Sequence, residues 1–397
     1  MRKDSMWKRA WVEIDMDALK DNFLTVRRAL DTRCKLCCVV KANAYGHGAV
    51  VVASLYERLG ADFLAVSNIE EALELRLGGI TLPILILGYT APESAMMLAA
   101  NNISQCLFSL DYAKALSREA KKANVSIKIH LKLDSGMGRI GFSLLEGDAV
   151  LDDVVAALSL PGLVREGVFT HFAKSDMGEA GDAFTKAQFS RFTSAVEALS
   201  LRGYTFPIRH AANSAALCDY PETCLDMVRA GIVLYGYPPS GELRAPLSLR
   251  PALSLKSVVD LVKVIGAGTS VSYGGGFVAE KPTKIATIPI GYADGLWRSM
   301  EKDGLFPTVR GKAVRLVGRV CMDQCMLDVS AMTDVSVGDG VTLYGVSGEA
   351  VESLALRCGT IPYELICSLG ERLPRVYFEK GEIVAIKDRI LPAGFSL

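Results

Sequence analysis

The feature that most limits how this chain can fold is a rhythm in its first roughly 240 residues, close to the length of one barrel domain. Short apolar runs recur at Leu36 to Lys41, Phe63 to Val66, Ile84 to Leu87, Ser104 to Phe108, Ile127 to Leu133, Leu163 to Thr170, Phe206 to His210 and Met227 to Leu234. Runs this short, bounded by polar or turn residues, read as buried strands. Helical periodicity fills most of the gaps, at Ala49 to Leu59, Asn68 to Leu77, Ala91 to Ala100, Leu110 to Ala123, Asp148 to Leu158 and Phe184 to Leu201. Ahead of them Trp11 to Ile14 alternates like a half-buried strand, and Asp17 is the expected cap of a helix over Ala18 to Leu30. This is the arithmetic of an α/β fold of the (β/α)8 TIM type, although an open doubly wound sheet shares the pattern locally.

The position of the polar residues separates the two. An open dinucleotide-binding sheet places a glycine-rich turn after its first strand. Here the first run ends in Lys41, and later runs end in Ser67, Asp134, His171, Asn213 with Ser214, and Arg229. Polar groups arriving from several strand ends are what the C-terminal face of a barrel supplies. Past the turn-rich Tyr237 to Gly241 the texture changes to strand-like alternation with Gly turns, at Leu255 to Val264, Lys284 to Ile290, Val314 to Leu327, Val341 to Tyr344 and Glu382 to Ile386. Short helices are predicted near Ala350 to Arg357 and Tyr363 to Ser368. The expected division is therefore a barrel over 15–240 and a mainly β C-terminal domain over 241–397, with the N-terminal strand in 1–14 pairing with the later domain.

Charge and cysteine content narrow the function classes. Forty-four basic residues balance 44 acidic ones without any basic run, so neither nucleic acid nor an anionic membrane is an expected partner. The first ten residues are charged with no apolar core behind them, and no stretch approaches the ~20 apolar residues of a membrane span. A cytoplasmic protein acting on a small molecule is expected. The ten cysteines lie mostly within apolar runs, as Cys37 and Cys38 do. Reduced core thiols fit that pattern, and no metal site is expected, since Cys34 and Cys37 have no second pair at ligand spacing.

Several segments carry chemistry. In Val39-Val40-Lys41-Ala42-Asn43-Ala44-Tyr45-Gly46-His47-Gly48 a buried strand delivers a lysine to a glycine-punctuated turn. A desolvated amine loses part of its preference for the charged form and becomes a nucleophile or base; a strand ending in a solvated lysine gives the same local pattern. Asp134-Ser135-Gly136-Met137-Gly138-Arg139 offers an arginine able to donate two parallel hydrogen bonds, or simply a surface arginine after a turn. His171 ends the sixth run, where it can stack on a ring, relay a proton or serve as a satisfied core histidine. Asn213-Ser214 reads equally as a turn and helix cap. In Arg229-Ala230-Gly231-Ile232 a glycine after the eighth strand lets backbone N–H groups approach a phosphate.

These segments together resemble the alanine racemase family. The unbroken stretch Lys41 to Gly48 is similar to that family's lysine segment, and the other motifs follow in order from Trp11-Val12-Glu13-Ile14 to Leu373-Pro374-Arg375-Val376. The resemblance implies pyridoxal 5'-phosphate (PLP) as cofactor, bound covalently by Lys41, with Tyr45, His171, Ser214, Arg229, Gly231, Ile232 and Tyr363 around it. It implies Arg139, Met322 and Asp323 at the substrate, and Lys132 at a position carbamylated in some members. Arg229 would face the pyridine nitrogen; a donor that cannot accept a proton leaves the ring a weaker electron sink than an acidic residue would, which favours reprotonation at Cα. Tyr273, in a segment similar to the family's S-Y-G motif, would be the second base; Gly275-Gly276 stands where Arg-Thr-like residues are usual. Lys41 and Tyr273 on opposite faces of Cα give a two-base racemisation of L- and D-alanine that supplies D-alanine for wall precursors. The tyrosine would come from the partner subunit of a head-to-tail homodimer. The alternatives are a serine or broader-specificity racemase, which Tyr363 disfavours by narrowing the pocket; a basic-amino-acid decarboxylase, which would carry an acid at Arg229; and a PLP carrier made of the barrel alone.

Overall fold

The computed structural model describes residues 9–145, 147 and 149–390. The chain divides into two compact units, one containing Lys20–Ala44 and Ala49–Leu249, the other the segment up to Leu19, Tyr45–Gly48 and everything from Arg250 onward.

The first unit is the barrel. Its strands are Lys35–Val39, Phe63–Val66, Ile84–Ile86, Ile103–Leu107, Ile127–Asp134, Leu163–Phe169, Ile208–His210 and Met227–Ala230, so all eight expected runs form strands. Neighbours pair in parallel from the first to the seventh, and the last strand pairs with the first. The seventh and eighth strands are joined by Asp226 N–H to Arg209 O (3.0 Å) and Arg229 N–H to Ala212 O (3.1 Å), which nearly closes the cylinder. Helices lie where the periodicity puts them, and their starts have local causes. Asn68 and Ser109 cap Ile69–Leu77 and Leu110–Ala123 by accepting from Glu71 and Tyr112 N–H, and Asn124 ends the latter in the left-handed region. The helix Ala149–Leu158 matches its expected range apart from Asp148, which lies outside the described residues.

The strand Ile127–Asp134 positions much of the site. Its alternation Lys128, His130, Lys132, Asp134 puts four polar groups on one side, with Ile129, Leu131 and Leu133 on the other. Read as an apolar run, this strand hides a polar inner face. Cys37, Cys38 and Cys106 are buried in other strands of the barrel, and burial pushes the Cys37 and Cys106 thiols up to about 12, so they are inert core thiols. All ten cysteines are unbridged.

The second unit is mainly β. Strand Ala10–Asp15 lies inside a seven-stranded sheet, antiparallel to Leu253–Val258 and parallel to Arg375–Glu379. The N-terminal strand thus pairs with the later part of the chain, as its place ahead of the barrel suggested. Arg375–Glu379 was not anticipated as a strand. Two expected strands are each broken. Leu255 to Val264 divides at Val259-Asp260 into Leu253–Val258 and Leu261–Ile265, which belong to different sheets; Val314 to Leu327 divides into Arg315–Val317 and Cys325–Asp328, with the loop 318–324 between. The first helix, Met16–Arg28, is capped by Asp15 rather than Asp17: Asp15 Oδ1 accepts from Ala18 N–H at 2.9 Å, and Asp17 instead accepts from Lys380 N–H.

Candidate active site

Lys41 follows the first barrel strand, and the chain turns immediately after it. Ala42, Asn43, Ala44 and Tyr45 all have φ of 52–54°, a left-handed turn built without glycine. Each such residue costs about 1–2 kcal/mol. The barrel unit holds the turn from several sides. Ala44 N–H donates to Val40 O (2.9 Å), and Asn43 Oδ1 accepts from Ala49 N–H (2.8 Å). Glu71 bridges two strand ends, one oxygen accepting from Ala42 N–H and the other from Ser67 N–H, both at 2.7 Å. Glu71 was not anticipated as part of this site.

The glycines of the motif serve a different purpose, seen within the second unit. Arg375 Nε donates to Gly46 O (3.1 Å), Tyr377 Oη donates to His47 O (3.0 Å), and His47 Nδ1 lies 2.9 Å from Tyr45 O. A Cβ on Gly46 would stand 2.1 Å from Ile366 O, and one on Gly48 would stand 1.8 Å from Tyr377 Oη. Both glycines also have positive φ, 82° and 99°. They are therefore excluded from bearing a side chain twice over, by contact and by backbone. Tyr45 is buried with its ring centroid 6.0 Å from that of Tyr363, and burial pushes its phenol far up.

At the C-terminal ends of the barrel strands the candidates form a cationic cluster. Arg229, 4% exposed, donates to His210 Nδ1 (2.8 Å), Thr170 O (2.8 Å) and Ala211 O (2.9 Å), with His171 Nδ1 at 3.4 Å. Burial lowers its pKa to about 10, which leaves it cationic at neutral pH. Burial first, and then the charges of Arg229, Lys132, Arg139 and Lys41, hold the His171 imidazole well below its ordinary range, so that ring is neutral. Lys132 is 2% exposed and, among the described residues, its Nζ has no hydrogen-bond partner. Desolvation and the field of Arg229 bring its pKa to about 7. Arg139 is exposed on a loop organised by Asp134, whose carboxylate accepts from the N–H groups of Gly136, Met137 and Gly138 at 2.8–2.9 Å.

The seventh and eighth strand ends build an anion cradle. Asn213 caps the helix Ser214–Asp219, its Oδ1 accepting from Ala215 and Ala216 N–H, so the cap reading of Asn213 holds. Ser214 Oγ accepts from Gly231 N–H at 2.8 Å and is buried. Gly231 precedes the one-turn helix Ile232–Tyr235, whose first N–H groups have no acceptor within the helix. Two acceptor groups are served by this chemistry: backbone and hydroxyl donors suit a phosphate, and a buried, donor-only guanidinium suits a ring nitrogen that accepts. The residues present therefore fit PLP.

In the second unit the loops carrying the remaining candidates are zipped together. Tyr292 and Ala293 N–H donate to Cys321 and Met322 O, both at 3.0 Å. Asp294, fully buried, accepts from Arg9, from Arg372 Nε (2.8 Å) and from Gly291 N–H (3.0 Å). Burial alone would raise its carboxyl, and the two arginines pull it below the usual range. Arg372 also pairs with Asp323. Asp323 and Met322 are exposed, Met322 by 52%. Tyr273 is 69% exposed on a one-turn segment entered through Ser272 at φ 68°, whose Oγ donates to Arg319 O.

Residues 14–239 match the family described as "Alanine racemase, N-terminal domain" and residues 252–377 match "Alanine racemase, C-terminal domain". The chain belongs to the alanine racemase family. It is 44% identical over 369 residues to the alanine racemase of Desulfovibrio desulfuricans, covering 93% of this chain and 98% of that one. The structure of alanine racemase from Clostridium difficile 630 superposes with a TM-score of 0.93 at 40% identity, covering 98% of this chain and all of that one. The alanine racemase of Bacillus anthracis with bound L-Ala-P gives a TM-score of 0.91 at 35% identity, covering 97% and 99%. The barrel and mainly β architecture is thus that of the family.

Proposed function

We propose that this chain interconverts L- and D-alanine using pyridoxal 5'-phosphate held on Lys41. The observation that carries the reading is the buried Arg229 beside the Ser214–Gly231 cradle, at the mouth of the barrel whose first strand leads to Lys41. When bound, PLP supplies an electron-withdrawing ring that acidifies the Cα proton of an attached amino acid. Ser214 with the Gly231 and Ile232 backbone, and Tyr363, bind the phosphate; Tyr45 and His171 flank the cofactor; Arg229 donates to the ring nitrogen. Arg229, a donor that does not give up its proton, would leave that nitrogen unprotonated and the bound ring a weaker electron sink, which would favour return of a proton to Cα. Arg139, the Met322 N–H and Asp323 orient the substrate carboxylate, with carbamylated Lys132 as the anionic partner of Arg139.

Racemisation needs a proton removed from one face of Cα and returned to the other. Lys41 Nζ serves one face, and Tyr273 Oη from a second copy of the chain serves the other. The 69% exposure of Tyr273 supports that assignment, since a second base facing solvent within its own chain is available to a partner. The barrel over 15–240 binds the cofactor and the domain over 241–397, with the strand in 1–14, supplies the second base. The role that follows is cytoplasmic supply of D-alanine to wall precursors; no helix among the described residues is long and apolar enough to cross a membrane. The test is Lys41→Ala, which is expected to abolish both the visible absorption of lysine-bound PLP and racemisation; an active variant, or a wild type that never takes up PLP, refutes the proposal. Racemisation assayed across alanine, serine and larger amino acids tests the assignment of alanine.

A further inference from the structure

Beneath Arg229 the barrel interior holds a polar column that none of the assigned roles uses. Arg229 lies 2.8 Å from His210 Nδ1, His210 Nε2 lies 2.8 Å from His130 Nδ1, and His130 Nε2 lies 3.1 Å from Glu166 Oε2. Ser104 Oγ donates to the same Glu166 oxygen, and Lys128 Nζ lies 3.4 Å from the other. His130 and His210 are 0% exposed, and the Glu166 side chain only 15%. The column is built to measure: Phe169 stacks on His210 at 4.8 Å and 7°, and a Cβ on Gly167 would stand 2.4 Å from His130 Nδ1.

Chemistry fixes the direction of every hydrogen bond in it. Arginine has five donors and no acceptor, so His210 Nδ1 must be unprotonated. A neutral His210 then carries its proton on Nε2 and donates it to His130 Nδ1. That leaves His130 with its proton on Nε2, donated to the Glu166 carboxylate. The opposite order sets two N–H groups against each other at Arg229. Burial lowers the pKa of both imidazoles, so both are neutral. Burial would raise the Glu166 carboxyl, but donors from His130 and Ser104 bring it down to about 2, so it is ionised.

We infer that Glu166 is the counter-charge of Arg229, acting through His210 and His130 as two imidazoles of fixed tautomer, and is a positioning residue for that arginine. The guanidinium's hydrogen-bond partners at the mouth, His210, His171 and the Thr170 and Ala211 carbonyls, are neutral, and its charge is balanced three hydrogen bonds away. Its outward edge therefore stays a free cationic donor, where a carboxylate alongside would compete for it. The tautomer order depends on this chain alone; its consequence for catalysis rests on the function proposed above.

The chain has four histidines, so holoenzyme labelled with [15N]histidine gives four pairs of ring-nitrogen signals. In the wild type, His130 and His210 are both expected as Nε2–H tautomers with unprotonated Nδ1 and slowly exchanging Nε2 protons. Glu166→Gln keeps an acceptor but removes the charge. It is expected to move the Nε2–H signals of both rings upfield, including His210, which does not touch residue 166, and to lower kcat about 5- to 10-fold with KM within twofold. Glu166→Asp, which restores the charge, should recover part of each change. An imidazolium or an Nδ1–H tautomer in either wild-type ring overturns the inference, as does a Glu166→Gln spectrum with His210 unmoved. If Glu166→Gln does not fold, the wild-type tautomers decide. Expected tautomers in a protein that neither binds PLP nor racemises alanine would sink the functional reading and leave the relay standing.

Discussion

Lys132→Met isolates the cost of an amine in the barrel interior. Lys132 is almost fully buried without a hydrogen-bond partner among the described residues, and its pKa falls from 10.5 to about 7. The sign follows from linkage: the unfolded chain binds the proton more tightly, so stability rises with pH between the two values. Below pH 7 the group is charged in both states and the whole penalty is present; above 10.5 it is gone. At about 1.4 kcal/mol per pH unit the full penalty is on the order of 5 kcal/mol. It is still about 5 at pH 6 and has dropped to about 2 at pH 9. Methionine has a similar length and no charge, so Lys132→Met should be stabilised relative to wild type, by about 3 kcal/mol more at pH 6 than at pH 9. Urea unfolding of both proteins across that range, in bicarbonate-free buffer to exclude carbamylation, gives the comparison. A difference between variant and wild type that does not change with pH refutes the reasoning, because it would mean that the folded-state amine is not neutralised.

With carbon dioxide present, the same neutral amine is a nucleophile. [13C]Bicarbonate should give a carbamate signal in wild type that is absent from Lys132→Met and fades below pH 7. Gly48→Ala meets Tyr377 Oη at 1.8 Å in a backbone at φ 99°, and should lower stability by roughly 3 kcal/mol or more in thermal or urea unfolding. Glu71→Ala strips the acceptor from the Ala42 and Ser67 N–H groups; a loss of about 1–3 kcal/mol is expected, with weaker retention of PLP on dilution. Mixing Lys41→Ala with Tyr273→Phe tests the shared site. Each mutant alone should be inactive, whereas re-equilibrated mixtures should recover about one quarter of the sites, since each heterodimer joins one intact pair. No recovery would mean that the tyrosine acts within its own chain.

The eight barrel strands were legible because each is a short apolar run, and a strand buried on both faces leaves that signature without help from its neighbours. The second unit was harder to read. Leu255 to Val264 is continuous in pattern, yet the chain changes sheets at Val259-Asp260, which is a tertiary decision with no local mark. Ser214 and Gly231 could be picked out because each follows a strand end, and Arg229 because it comes two residues before that glycine. His130 and Glu166 could not, because they lie within strands, where His130 is one polar residue among apolar neighbours. The available signal was the alternation Lys128, His130, Lys132, Asp134, a polar face with a period of two inside a strand read as uniformly apolar. Arg375 stands in the segment Leu373-Pro374-Arg375-Val376, where nothing local shows that its guanidinium reaches Gly46.

The turn after Lys41 shows why such a segment needs so much support. Four consecutive residues in the left-handed region cost on the order of 4–8 kcal/mol together, comparable to the whole stability of a domain. Such a conformation persists only where its surroundings over-determine it. In the barrel unit Glu71, Asn43 and Val40 fix Ala42 to Ala44; in the other unit Arg375 and Tyr377 grip Gly46 and His47. Each hold on Ala42 to Ala44 is worth about 1–3 kcal/mol, so no single one offsets the strain. Loss of one should therefore loosen the turn rather than unfold the protein. The residue that feels this first is Lys41, at the start of the turn, where a shift of about 1 Å would misplace the amine proposed above as one of the two bases.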